Sequence, residues 1–183
     1  LVINDITEVF FREDVSFEIF KKLTKTGSKV RCISTKSTKD KPRSFFDNID
    51  KWAKEQGASG MAYFTIEKDK EIYGKGPVGK FFSKESLDEI MKMTDAKIGD
   101  SIFLACGKLK EIENITSLAR NKIAHELNLV DNNVFAFCWI VDYPMFEKDE
   151  QTKKIKFSHN PFSMPQGDLN KIDFEKPLNI LAY

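Results

Sequence analysis

The sequence lacks any long hydrophobic run. No apolar stretch approaches the roughly 18 to 20 residues that a helix needs to cross a bilayer. The opening residues, LVI, lead directly into Asn4 and Asp5, so we expect no signal peptide. The missing initiator methionine suggests a piece of a longer protein. These absences exclude a membrane-spanning helix and favour a cytoplasmic location.

Cysteine and histidine are scarce, with three cysteines and two histidines in 183 residues. Cys32, Cys106 and Cys138 are odd in number, lie in apolar strand-like runs and form no CxxC motif. We therefore predict buried, reduced thiols rather than disulfides or zinc ligands. His125 has no second histidine, cysteine or suitably spaced acid, which indicates a surface side chain. The sequence predicts no metal site.

A strong net charge is also lacking, since the formal charge of the chain is +1. Residues 21–43 nevertheless carry nine basic residues against Asp40 alone, a net charge of +8 that leaves −7 for the rest. Such a run can attract a polyanion by releasing condensed counterions. It contains no aromatic residues for base stacking. Two interpretations stay open: a solvated basic loop, or a loop that contacts nucleic-acid backbone without sequence specificity.

One glycine-rich segment, GKGPVG at residues 74–79, matches the GxGxxG pattern of dinucleotide-binding loops. That site requires a helix that begins at the last glycine, so that its amides meet the pyrophosphate. Here Pro77 lies inside the loop and the next helix is predicted only near Ser83. We therefore interpret the segment as a turn that glycine permits.

Hydrophobic periodicity predicts an α+β fold. Strand composition occurs at residues 30–35, 61–67 and 101–106. Helices are predicted to begin at Ser44, near Ser83 and at about Leu109, with Gly57 ending the first of them. The order of elements predicts a mixed or antiparallel sheet with its helices packed on one face. The turn cluster at residues 131–133 marks a boundary.

The C-terminal segment contains the most informative residues. An eight-residue apolar run at residues 134–141 predicts a strand buried on both faces, which ends at the DYP sequence of residues 142–144. A second short run ends at HNP, residues 159–161, where the proline biases Asn160 toward an extended backbone. We expect His159 and Asn160 to lie at a strand end and to form the edge of a ligand pocket.

These motifs resemble a segment of bacterial aspartyl-tRNA synthetases, which are class II enzymes. The stretches WIVDYPMFE (139–147) and HNPFSMP (159–165) are similar to the part of that family that follows an inserted domain, the GAD domain, and re-enters the catalytic core. LVINDIT at the N-terminus is similar to the segment before the insertion. Three further stretches resemble signatures within the insertion: GASGMAY (57–63), GPVGKF (76–81) and GDSIF (99–103).

The resemblance implies three parts. Residues 1–12 would be a lead-in from the catalytic core, residues 13–131 the inserted GAD domain, and residues 132–183 the return segment of the core. The fold implied is a GAD-type α+β unit with strand segments of a class II core beside it.

The chemistry implied by the resemblance is a two-step ligation. Aspartate attacks the α-phosphate of Mg-ATP to give aspartyl-adenylate, and the terminal ribose of tRNA then takes the aspartyl group. ATP and Mg²⁺ are therefore expected cofactors of the parent enzyme, with aspartate and tRNA as partners and a homodimer formed through regions outside this chain. The family's two ATP-binding arginine motifs have no match here. We expect the chain alone to be inactive, to contain no catalytic residue and to bind no cofactor.

The resemblance implies that the histidine of the HNPF motif lies in the amino-acid pocket and contacts the substrate. This assigns His159 to aspartate binding. An imidazolium facing the substrate carboxylate gives a charge-assisted hydrogen bond that favours aspartate over asparagine. Many relatives carry two successive histidines, whereas this chain has Asn160, which can donate a hydrogen bond but not a charge. Asn160 is therefore a second candidate.

Two alternatives stay open. The inserted module also resembles one in a subunit of a tRNA-dependent amidotransferase, although such a protein is expected to lack the DYP and HNPF stretches. The other alternative is a non-catalytic module that interacts with tRNA or protein.

Overall fold

The computed structural model of the protein describes residues 1–139, 141–149, 151–158 and 162–183. The chain forms two compact units, Leu1–Asp131 and Asn132–Tyr183. The division between them falls within the turn cluster of residues 131–133. Residues 1–12 are part of the first unit, and their origin in another domain stays a prediction.

The first unit, all of whose residues are described, combines a five-stranded sheet with four α-helices. Its strands are β1 (Ile3–Asp5), β2 (Lys29–Thr35), β3 (Ala62–Lys68), β4 (Ile72–Lys75) and β5 (Ser101–Gly107). Its helices are α1 (Glu18–Lys25), α2 (Arg43–Glu55), α3 (Lys84–Thr94) and α4 (Leu109–Glu126).

The strands pair in the order β1-β2-β5-β3-β4, and every pair is antiparallel. The longest pairing joins β2 to the central strand β5, from Lys29 opposite Gly107 to Thr35 opposite Ser101. The three predicted strands correspond to β2, β3 and β5. The α+β class and the antiparallel sheet are therefore confirmed.

Apolar side chains cover both faces of this sheet, which corrects the prediction that the helices pack on one face. Along β5, Ile102 and Leu104 lie in a first core, whereas Phe103 and Ala105 lie in a second core. Helices α1 and α3 pack against the first core, and α2 and α4 pack against the second. The physical reason is the continuous apolar sequence of β5, since a strand that is apolar on both faces must be covered on both.

Two of the three predicted helix starts are confirmed. Helix α4 begins at Leu109, and the Ser83 hydroxyl caps α3 by accepting a hydrogen bond from the Ser86 N–H at 3.0 Å. The start of α2 at a Ser44 cap is wrong, because the extended residue Pro42 occupies the N-cap position. Gly57 follows the end of α2 with a φ of 87°, as its stop function requires. None of the described helices is long and apolar enough to cross a membrane.

Two glycines allow β4 and the turn after it to approach closely. A Cβ atom on Gly79 would lie 2.3 Å from the carbonyl carbon of Gly74, and one on Gly74 would lie 2.9 Å from the Gly79 Cα. Only a single 3-10 turn begins at Gly79, and α3 begins at Lys84. Residues 76–78 of the GKGPVG segment therefore form the predicted turn, whereas Gly74 and Lys75 belong to β4.

Substitution Gly79→Ala should destabilise the first unit by about 1 to 3 kcal/mol, because the new methyl group would overlap the Gly74 backbone. The matched control is Gly107→Ala, where the nearest atom would lie 3.9 Å away and the change should stay below about 0.5 kcal/mol. Urea unfolding in a Trp139→Phe background measures both, since Trp52 on α2 is then the only tryptophan and reports on the first unit. Equal stabilities would contradict the close contact.

The second unit contains four short strands among its described residues. These strands are β6 (Tyr143–Pro144), β7 (Phe146–Lys148), β8 (Ile155–Phe157) and β9 (Leu181–Ala182). β6 pairs with β9 and β7 pairs with β8, both antiparallel.

The predicted buried strand at residues 134–141 is wrong. Its described residues form no strand and are exposed, with Phe137 at 96% and Trp139 at 94%. A strand buried on both faces needs neighbouring strands and covering layers, and the described part of the second unit supplies neither to this run. Cys138 is exposed as well, so the prediction of a buried thiol holds for Cys32 but is wrong for Cys138.

Candidate functional site

The predicted substrate-binding residues, His159 and Asn160, lie outside the described residues, as does Pro161. The residues on both sides of them are described. Ser158 follows strand β8, and Phe162 begins the segment that leads toward β9. The observed geometry of the candidate site is therefore that of its two flanks.

The N-terminal flank is fixed at Ser158. Its Oγ donates a hydrogen bond to the Pro144 carbonyl at 2.7 Å, and its N–H donates to the Met145 carbonyl at 3.1 Å. Pro144 ends the DYP motif, so the fold brings the DYP motif next to Ser158, the residue that precedes the HNPF motif in the sequence. Sequence analysis identified both motifs but missed the serine that joins them, which has no motif of its own.

The C-terminal flank is fixed to β9. The Gln166 N–H donates to the Leu181 carbonyl at 2.8 Å, and its Nε2 donates to the Ala182 carbonyl at 2.9 Å. The Tyr183 N–H donates to the Met164 carbonyl at 3.0 Å. Because β9 also pairs with β6, both flanks are tied to the same pair of strands. Sequence analysis missed this role of Gln166, since it depends on backbone partners far along the chain.

Asp149 closes the β7–β8 hairpin that leads to Ser158. Its Oδ1 accepts the Thr152 N–H at 2.8 Å and the Thr152 hydroxyl at 3.0 Å, and its Oδ2 lies 3.3 Å from the Lys156 Nζ. These donors, the Thr152 N–H foremost, lower the pKa of Asp149 to about 2. A charged turn aspartate therefore fixes the hairpin at neutral pH.

From the sequence we expected Asp142 to lie at the end of a core strand, and this expectation is wrong. It is exposed, has a φ of 58° and directly precedes β6. Asparagine and aspartate tolerate this left-handed backbone better than other non-glycine residues. Asp142 therefore lies where the backbone turns into β6.

A hollow of about 400 Å³ lies beside Gln166 in the second unit. Its wall includes Lys171 and Lys176, which form ion pairs with Asp168 at 3.5 Å and with Asp173 at 3.4 Å. The C-terminal flank of the candidate site thus borders an open hollow with charged side chains on its wall.

The basic residues of the 21–43 run are spread over α1, β2 and the loop before α2. Four of the nine contact acceptors within the first unit: Lys21 (Arg12 and Val15 carbonyls), Arg31 (Asp5, Glu113), Lys36 (Asp95, Asp100) and Arg43 (Asp47). Acidic residues that are distant in sequence therefore neutralise part of the charge of this run.

Buried polar groups fix the loop between β2 and α2. Asp100 is 3% exposed and accepts the Ser37 N–H at 2.8 Å. The Thr38 hydroxyl, also buried, donates to the Ser101 hydroxyl at 2.7 Å. Lys39 and Lys41 are exposed on this loop. A polyanion that contacted the run at Lys39 and Lys41 would thus meet a fixed loop.

The remaining candidate groups are a histidine and two thiols of the first unit. His125 is exposed on α4, as predicted. No cluster of three or more His, Cys, Asp or Glu side chains suited to a metal ion occurs among the residues that the structure describes. Burial raises the pKa of the Cys32 thiol to about 12 and that of Cys106 to about 11, so both stay protonated at neutral pH.

Comparison with known proteins gives a consistent result. The family model of the GAD domain matches residues 20–116. The chain is 74% identical over 183 residues to an aspartate–tRNA(Asp/Asn) ligase of Pelagibacter ubique (strain HTCC1062). Proteins of the same name from Beijerinckia indica and Gluconobacter oxydans are 45% and 41% identical.

These comparisons cover all of the chain but a minor part of each relative. The covered share is 31% for the Pelagibacter and Beijerinckia proteins and 30% for the Gluconobacter protein. The chain thus spans slightly less than a third of the length of the curated relatives that it matches.

Proposed function

Since this chain belongs to the GAD domain family, we propose that it forms part of an aspartate–tRNA ligase. The observation that carries the proposal is the 74% identity to a protein of that name, because it extends through both units. The intact enzyme would activate aspartate with Mg-ATP in the cytoplasm and transfer it to tRNA for aspartate and, as the relatives' name indicates, for asparagine. A tRNA-dependent amidotransferase subunit or a non-catalytic module would leave the match of the second unit to ligases unexplained.

The two units have different roles in this proposal. Residues 13–131 are the inserted GAD domain, entered through residues 1–12, and residues 132–183 are a segment of the class II catalytic core. The exposed apolar side chains at residues 134–139 and 141 support this role of the second unit. Exposed apolar patches of this kind mark surfaces that another part of a protein covers.

Within the core segment, His159 binds the side-chain carboxylate of aspartate and Asn160 donates a neutral hydrogen bond. The two flanks support this assignment because Ser158 and Gln166 are both hydrogen-bonded to the β6–β9 backbone. A substrate-binding segment whose two flanking residues are fixed is preorganised. Discrimination between two similar amino acids requires such preorganisation.

The intact ligase should exchange labelled pyrophosphate into ATP when aspartate is present, whereas the 183-residue chain alone should show no exchange. The ground for this expectation is that none of its four arginines lies in a sequence that resembles the family's two ATP-binding arginine motifs. Absence of exchange by the intact protein would overturn the proposed function. Exchange by the chain alone would instead overturn the placement of the ATP-binding groups outside it.

Contact with tRNA is a second proposed role, assigned to Lys39 and Lys41. Charge reversal of both (Lys39→Glu, Lys41→Glu) should weaken tRNA binding by the intact protein and lower its salt dependence by about one unit of log–log slope per lysine. Lys36 is left unchanged because its ion pair with the buried Asp100, at 3.3 Å, helps to hold the loop.

The matched control for this measurement reverses two exposed lysines, Lys68 at the end of β3 and Lys70 in the turn that follows it. This variant carries the same change in net charge and should bind tRNA nearly as well as the unaltered protein. Equal binding by both double variants at low salt would eliminate the contact and leave the solvated basic loop.

A further inference from the structure

One buried carboxylate joins two loops of the first unit. These are the loop between β2 and α2 and the loop between α3 and β5, which ends at Asp100. The Asp100 Oδ1 accepts the Ser37 N–H of the first loop, and its Oδ2 accepts the Lys97 N–H of the second loop, both at 2.8 Å. The Asp100 Oδ2 also lies 3.3 Å from the Lys36 Nζ. Because the side chain is buried, these charge-assisted bonds hold both loops in one arrangement.

Backbone and hydroxyl groups join the same two loops. The Lys39 N–H donates to the Gly99 carbonyl at 3.0 Å. The Lys41 N–H donates to the Thr38 carbonyl at 3.0 Å, and the buried Thr38 hydroxyl donates to the Ser101 hydroxyl at 2.7 Å. The backbone that carries Lys39 and Lys41 is therefore fixed by contacts with residues that are distant in sequence.

The side chain of Lys41 has a preferred position as well. Its Nζ lies 5.9 Å from the centroid of the Phe45 ring on α2, which is within the range of a cation–π contact. Lys39 and Lys41 are both exposed, so a polyanion can reach them from solvent. A lysine that starts from a fixed backbone loses less conformational entropy when it binds a phosphate group.

Charge alone would give Asp100 the opposite effect on a polyanion. A carboxylate repels phosphate groups, and the Asp100 carboxylate also neutralises Lys36. An amide in its place would raise the positive charge of the surface that carries Lys39 and Lys41. If charge decides the affinity, tRNA binds the amide variant more tightly. If the fixed loop decides the affinity, tRNA binds that variant less tightly.

We propose, on the basis of the tRNA contact proposed for Lys39 and Lys41, that Asp100 is a positioning residue for this contact. The ligand is the sugar-phosphate backbone of tRNA, which lysines bind by charge and not by base sequence. Asp100 acts through the loop between β2 and α2. A buried acid thus improves the binding of a polyanion, because it holds two lysines in place.

The test compares two substitutions in the intact protein that each remove one negative charge, Asp100→Asn and Asp40→Asn. Asp40 is exposed between the two lysines. Asp100→Asn should raise the Kd for tRNA about three- to tenfold. It should also lower the log–log salt slope by about one to two units, although no basic residue has been removed. Asp40→Asn should lower the Kd by about twofold and leave the slope unchanged.

A second pair of variants fixes the charge and changes only the loop. Thr38→Val removes the hydroxyl that donates to Ser101, so it should raise the Kd for tRNA about threefold and lower the salt slope. Thr38→Ser keeps the hydroxyl and should restore the affinity. Binding is measured well below the unfolding temperature of each variant. If Asp100→Asn does not fold, the two Thr38 variants decide the question.

Three results would overturn the role of Asp100. They are tighter binding by Asp100→Asn, weaker binding by Asp100→Asn with an unchanged salt slope, and equal binding by Thr38→Val and Thr38→Ser. The contact of Lys39 and Lys41 with tRNA would stand in each case if their charge reversal weakens binding. If that reversal has no effect, the contact itself fails. Aspartate-dependent pyrophosphate exchange by the unaltered protein tests the ligase function separately from both.

Discussion

Substitution His159→Ala in the intact protein should lower kcat/KM for aspartate about a hundredfold. The imidazolium is proposed to form a charge-assisted hydrogen bond with the substrate carboxylate, and removing one partner of such a pair costs about 2 to 5 kcal/mol. A loss of about 2.7 kcal/mol corresponds to a factor of 100. Asparagine has no side-chain charge, so its kcat/KM should change much less. The variant should therefore lose discrimination as well as activity.

The chain provides its own control for this substitution, because it has only one other histidine. His125 is exposed on α4 of the first unit, so His125→Ala should leave both kcat/KM values unchanged. Asn160→Ala should have an intermediate effect of about threefold to tenfold, the loss of a neutral hydrogen bond. A change of less than threefold in His159→Ala would remove His159 from the aspartate site.

Substitution Phe103→Ala should destabilise the first unit by about 3 to 5 kcal/mol. Phe103 is fully buried on the central strand β5, and its ring packs at 5.6 Å from that of Phe46 and at 6.3 Å from that of Tyr63. Truncation removes these contacts and leaves a cavity between β5 and α2. Urea unfolding in the Trp139→Phe background measures the loss through Trp52, which packs against the same core.

The matched control is Phe137→Ala, which removes an identical side chain from a position that is 96% exposed. Its effect on unfolding of the 183-residue chain should stay within about 0.5 kcal/mol. Similar losses for the two variants would contradict the burial of Phe103 in the second core.

The long central elements of the first unit could be predicted from the sequence because their patterns are local. The apolar run of β5, the Ser83 cap and the glycine after α2 each act within a few residues. Helix α1 and strand β1 were missed for the opposite reason. Helix α1 has no side-chain cap, and β1 is three residues long and is stabilised by pairing with β2, which is distant in sequence.

The errors concern interactions between elements. Apolar residues on both faces of β5 indicate two covering layers, but the helical periods alone do not tell which helix covers which face. The run at residues 134–141 has the composition of a buried strand, yet composition does not supply the neighbours that bury it. In the candidate site, the motifs could be read from the sequence, whereas the bonds from Ser158 and Gln166 to the β6–β9 backbone required the fold.

Aminoacylation measures the central claim most directly, since it requires activation and transfer together. The intact protein, supplied with ATP, Mg²⁺ and tRNA for aspartate, should attach labelled aspartate to the tRNA and should not attach labelled asparagine. Attachment of asparagine at a comparable rate, or failure to attach aspartate, would contradict the assignment of this chain to an aspartate–tRNA ligase.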